Sequence, residues 1–129
     1  MERNHEHRTL TRAEMQIMNI LWDNGLGMTT HEIINAYPEP HPAYSTIATF
    51  LKILTNKKFV GAHKQEGGGK THVFYPLVTR AEYTRQTMKE VKDSFFGGSL
   101  KSLISFFVKE EEISDEELEE IVRMIEEKE

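Results

Sequence analysis

The sequence predicts a mainly α-helical chain that carries one small β-hairpin. Three observations predict it. Four capping boxes mark helix starts, pairing Thr11 with Glu14, Thr29 with Glu32, Thr79 with Glu82 and Ser114 with Glu117. Apolar residues follow these starts at spacings of three and four, the helical period. Only between Phe59 and Leu77 does the period change, where two runs rich in β-branched and aromatic residues flank Gly67, Gly68 and Gly69.

The first helix opens at Thr11. Leu10 and Met15 fit a hydrophobic staple, Met18, Leu21 and Trp22 continue the stripe, and Asp23, Asn24 and Gly25 stop it. Trp22 is expected in the core. The second helix is short, residues 32–37, with Ile33, Ile34 and Tyr37 apolar. Pro38, Pro40 and Pro42 then bar helix, and Pro42 is expected near the first turn of the next one. That third helix, residues 43–58, has two unlike faces. Ile47, Phe50, Leu51 and Leu54 gather on one side; Ser45, Thr49, Lys52 and Asn56 gather on the other. Strands are expected over 59–65 and 71–77, with His63 and His72 facing each other across the hairpin and the glycines forming its turn.

A fourth helix should run from Thr79 to Phe95 or Phe96, with Thr84, Met88, Val91 and Phe95 on one side, until Gly97 and Gly98 break it. Leu100, Leu103, Ile104 and Phe107 form a further stripe, and Leu118, Ile121, Val122 and Ile125 form the last. These stripes hold more apolar surface than so short a segment can bury against itself, and isolated helices of this length are marginal in water. A second copy of the chain is the economical cover, so a homodimer is expected through residues 79–129.

Length and charge bound the function. A chain of 129 residues and 15.0 kDa is one domain, or one domain with a helical appendage. The net charge of −5 is unevenly spread, with +2 over residues 1–80 and −7 over 81–129. Between Pro40 and Gln65 stand Lys52, Lys57, Lys58 and Lys64 and no carboxylate. An acidic protein binds DNA when its few cations share one face. The absence of cysteine excludes disulfides, thiolate metal sites and a cysteine nucleophile, and suits a cytoplasmic chain. No apolar run approaches about 18 residues, so membrane insertion is not expected. Residues 1–8 lack the apolar segment of a signal peptide and are expected to form a flexible arm.

A short helix, a stiff connector, a second helix and a hairpin follow one another in the order of a winged helix-turn-helix. The expected organisation is therefore an arm over 1–8, a winged-helix DNA-binding domain over 9–78 and a helical dimerisation domain over 79–129. Small hydroxyl side chains at the start of the third helix can approach base edges, and lysines further along meet phosphates. Ser45, Thr46 and Thr49 are the candidates for bases, and Tyr44 beside them is a further DNA-binding candidate. Lys52, Lys57 and Lys70 are those for phosphates, with His72 near the wing tip. Enzyme chemistry is not expected. The Gly-Gly-Gly-Lys-Thr run lacks the full phosphate-loop spacing and precedes a strand, not a helix. The histidines form neither HExxH nor a triad pattern. The His5-Glu6-His7 run is taken as a solvated tail, so no cofactor or metal is expected. A protein-interaction module on a winged-helix scaffold is the rival, and the cations on the one helix suited to a groove weigh against it.

The ordered motifs resemble the penicillinase-repressor family (the BlaI/MecI/CopY group) of bacterial transcriptional repressors over about residues 9–128. The resemblance rests on LTRAEMQIMNILWDNG, on Ser45 to Leu51 followed by Leu54 and Lys57-Lys58-Phe59, and on Phe74-Tyr75-Pro76-Leu77-Val78. It continues through Gly97-Gly98, Ser102-Leu103-Ile104 and Phe107-Val108 to Ile113-Ser114-Asp115-Glu116-Glu117-Leu118. It implies repression by a homodimer on a palindromic double-stranded DNA operator, with antibiotic-resistance, cell-wall or stress genes as targets. It also implies release through a membrane-bound sensor metalloprotease that cuts the dimerisation region. The family's Asn-Phe cut aligns with Phe106-Phe107 here, so Phe106 stands in place of the asparagine. Where the family often has basic residues in the reader helix, this chain has Ala48 and Ile53. The cysteine metal motif of the copper-responsive relatives is absent.

Overall fold

The computed structural model describes residues 9–67, 69–110 and 112–127; the arm over 1–8 lies outside them. The element order is α1 (Arg12–Asn24), α2 (Thr30–Asn35), α3 (Tyr44–Asn56), β1 (Val60–Lys64), β2 (His72–Pro76), α4 (Arg80–Phe96), α5 (Leu100–Lys109) and α6 (Asp115–Glu127). By contacts the chain divides after Gln86 into two compact units.

All four capping boxes form. Thr11 Oγ1 accepts from the Glu14 amide at 3.2 Å, and Glu14 Oε1 accepts from the Thr11 amide at 2.9 Å. The same reciprocal pair recurs at Thr29 and Glu32, at Thr79 and Glu82, and at Ser114 and Glu117. Each satisfies donors that a helix start leaves open. Gly25 ends α1 in the left-handed conformation, φ 78°, where its amide donates to Leu21 O. α2 is shifted from the expected 32–37 to Thr30–Asn35, because the Thr29 cap lets Thr30 begin the helix. Tyr37 lies past its end.

α3 is shorter than residues 43–58. Ala43 is its N-cap, so Pro42 precedes the helix and is not in its first turn. At the other end Lys58 takes φ 72°, which stops the helix and turns the chain into β1. Ile47, Leu51 and Leu54 are buried and Phe50 is half-buried, as the period predicts. They pack with Ile17, Met18 and Leu21 of α1, Ile33 of α2, and Phe59 and Val60 of the hairpin.

The hairpin pairs Val60 with Pro76, Ala62 with Phe74 and Lys64 with His72. His63 therefore faces Val73, not His72: the register is offset by one from the expectation, and such an offset changes every cross-strand partner. Met28 forms an additional antiparallel bridge to Phe74, its amide donating to Phe74 O at 2.9 Å and its carbonyl accepting from the Phe74 amide at 2.8 Å. Gly27 permits this approach, since a Cβ there would overlap Val73 Cγ1.

Trp22 is half-buried, a correction to the expected core position; it sits at the edge of the cluster with its indole N–H donating to Val78 O at 2.9 Å. Arg80 lies over its ring, 5.3 Å from the centroid, and reaches Asp23 at 2.7 Å. Tyr83 of α4 is a core residue that the periodicity did not single out. It is buried, its ring meets Phe59 edge-on at 5.8 Å, and its hydroxyl accepts from the Leu10 amide at 2.9 Å.

In the second unit Gly97 and Gly98, φ 60° and 82°, break the helix as expected. Ser99 caps α5 by accepting from the Ser102 amide. Leu103 is buried, Ile104 half-buried, and Phe96, Phe106 and Phe107 form a chain of ring contacts at 5.8 and 5.5 Å. Three acidic residues in the first turn of α6 suit the positive end of its dipole.

Candidate nucleic-acid interface

The packing of α3 decides what it shows to solvent. With Ile47, Leu51 and Leu54 held in the core, Ser45, Thr46, Thr49, Lys52 and Asn56 stand exposed. Every one of these side chains is uncharged or cationic. Ala43 supplies no side-chain cap, and the first turn holds no acid, so the start of α3 carries open backbone donors and no negative charge. An α-helix fits the major groove of B-DNA, where short hydroxyl side chains reach base edges without holding the backbone away.

Between α2, α3 and the hairpin runs an open groove of about 980 Å³. Tyr44, Lys52, Lys70 and His72 line it, so the structure brings these four expected residues together. Ser45, Thr46 and Thr49 lie outside the groove lining, on the exposed part of α3. His31 was not singled out as a DNA residue, yet it lines the groove and meets the Tyr44 ring at 5.0 Å. Its position follows from the Thr29 cap, which makes it the second residue of α2; its sequence neighbourhood gave no sign of the contact. Glu32 also lines the groove, but its carboxylate is held by the Thr29 amide at 2.8 Å.

Lys57 is placed differently from the other lysines. Its ammonium lies 2.8 Å from Glu14 Oε1, and the residue is not part of the groove lining. Glu14 is 3% exposed. Burial works to raise its pKa, yet the Lys57 ammonium and the bonds from Thr11 outweigh it and hold the carboxyl below its ordinary range.

Most of the residues expected at a dimer contact are open to solvent, wholly or in part, in the single chain. Met88, Phe95, Leu100, Phe107, Val122 and Ile125 are exposed, Phe95 to 77%. Val91, Ile104, Leu118 and Ile121 are half-buried. Phe106 and Phe107 lie inside α5 at 47% and 39% exposure. Among the described residues no cluster of three or more His, Asp or Glu is placed to hold a metal ion, and no helix is long and apolar enough to cross a membrane.

The chain is similar to known proteins over most of its length. A penicillinase repressor of Bacillus licheniformis is 25% identical over 119 residues, covering 92% of this chain and 90% of that one. The methicillin resistance regulatory protein MecI of Staphylococcus aureus is 26% identical over 119 residues, covering 92% and 94%. A solved structure of a ZitR mutant from Lactococcus lactis aligns with a TM-score of 0.47 at 14% identity, over 92% of this chain and 72% of that one. The sequence pattern of the penicillinase repressor family matches residues 10–127, nearly the whole length, and the chain belongs to that family.

Proposed function

We propose that this protein represses transcription by binding a palindromic DNA operator as a homodimer, with α3 in the major groove and the hairpin beside the backbone. The observation that carries the reading is the outer face of α3: hydroxyl groups at its start, Lys52 further along, and Lys70 and His72 across the groove, with no acid on the helix. Tyr44, Ser45, Thr46 and Thr49 face bases. Lys52 and Lys70 meet phosphates, which position the protein without reading sequence. Names of the relatives point to genes of resistance to cell-wall antibiotics as targets.

Dimerisation uses α4 to α6. A dimer joins two half-site contacts and raises the effective concentration of the second, so splitting it weakens binding by orders of magnitude without touching α3. We place release there, by a cut within 98–108 made by a membrane-bound sensor protease. Phe106-Phe107 is the matching bond, and α5 must open locally before a protease can hold it extended.

Selection of duplexes from a random pool tests the reading. The protein should enrich one sequence and lose affinity for it linearly in log salt. Equal retention of all duplexes would leave a protein-interaction module as the better description. Blotting the host after exposure to a cell-wall antibiotic tests release: full-length protein should disappear as target genes turn on, and its persistence would make release non-proteolytic.

A further inference from the structure

Lys57 closes α3, its amide donating to Ile53 O at 2.9 Å. Its ammonium reaches Glu14 Oε1 at 2.8 Å and Thr9 O at 3.4 Å. Carboxylates are seldom buried unless paired, and Glu14 is almost wholly buried. The same Oε1 accepts from the Thr11 amide at 2.9 Å, so one oxygen closes the start of α1 and the end of α3. The next residue, Lys58, turns left-handed into β1. The point that Glu14 holds is therefore where the reader helix ends and the wing begins. Moving the ammonium out to a phosphate would strand a buried charge, a costly arrangement.

We propose that Lys57 is a positioning residue for DNA reading: through Glu14 it fixes the seating of α3 against α1, and it makes no phosphate contact. This rests on the DNA-binding reading above. The two roles predict opposite signs. If charge near the DNA were what mattered, removing the Glu14 carboxylate would strengthen binding; if seating matters, the same change weakens it.

The test uses the full chain, the duplex enriched by the wild type, and a scrambled duplex of equal length, titrated over a series of salt concentrations, with folding checked by circular dichroism. Lys57→Met and Glu14→Gln should each weaken the enriched duplex about tenfold, and the double variant should lose no more than either single one. Affinity for the scrambled duplex and the salt slope should stay as in the wild type. Lys57→Arg, which keeps the ion pair, should bind as the wild type.

A Lys57→Met protein that weakens both duplexes alike and lowers the salt slope by about one would show a direct phosphate contact and overturn the proposal. Folded variants with wild-type affinity for the enriched duplex would overturn it too, leaving the pair a role in stability alone. Should Lys57→Met fail to fold, Glu14→Gln and Lys57→Arg decide: weakened discrimination in the first with wild-type discrimination in the second is expected, and any other pattern overturns it. A selection that enriches no duplex counts against DNA reading itself, and is distinguishable from an enriched duplex that these variants bind normally.

Discussion

At position 49 a threonine offers one hydroxyl and one methyl on the exposed face of α3, two turns ahead of Asn56. A large ring there cannot share the groove floor with base edges, so Thr49→Trp should abolish preference for the enriched duplex while leaving salt-dependent binding to scrambled DNA. Lys70 lies across the groove, on the hairpin loop. Lys70→Ala should weaken all sequences alike and flatten the salt slope by about one, read from the same titrations. The Glu14 carboxyl sits below its ordinary value in the fold. A lowered folded pKa means stability that is present above the unfolded value and lost as pH falls through the folded one. Denaturant midpoints should accordingly drop below about pH 4.5 in the wild type, and Glu14→Gln should remove that share of the acid limb. The exposed face of α3 was legible in the sequence because it follows from a period within one helix. The Lys57–Glu14 pair was not: its partners stand 43 residues apart, and nothing local to either announces the other.

Elements announce themselves when their signal spans one turn. The four capping boxes link residues three apart, which is why the starts of α1, α2, α4 and α6 were legible to within a residue or two. Helix ends and the hairpin register depend on contacts from elsewhere. The bridge from Met28 to Phe74 and the bond from the Leu10 amide to the Tyr83 hydroxyl, 73 residues apart, join segments that carry no shared pattern. Tyr83 also stands off the apolar stripe of its helix, because the first turns of α4 pack on the winged unit. Gly27→Ala should force Val73 aside and cost about 1–3 kcal/mol in urea unfolding. Tyr83→Phe leaves the Leu10 amide without its acceptor and should cost about 1–3 kcal/mol in the same measurement. A Gly27→Ala protein as stable as the wild type would mean the hairpin yields at that point without penalty.

At the scale of the whole molecule, the second unit leaves several large apolar side chains exposed that no residue of the described chain covers, Phe95, Met124 and Ile125 being the most open there. Fully burying side chains of this kind is worth about 1.5–3 kcal/mol each, enough for several to hold two chains together. Ile125→Glu and Phe95→Glu are the suitable probes, since both side chains are exposed within one chain, whereas Leu103 is buried and a charge there would disturb the fold itself. Each should yield helical monomers in sedimentation and weaken the enriched duplex far more than the scrambled one. The most direct test of a dimeric DNA reader is sedimentation of the wild type with the enriched duplex, combined with that duplex's sequence. Two chains per duplex are expected, on two inverted copies of one short element whose centres lie about one helical turn, ~10 bp, or a multiple of it apart. A single chain on a single unrepeated element would contradict it.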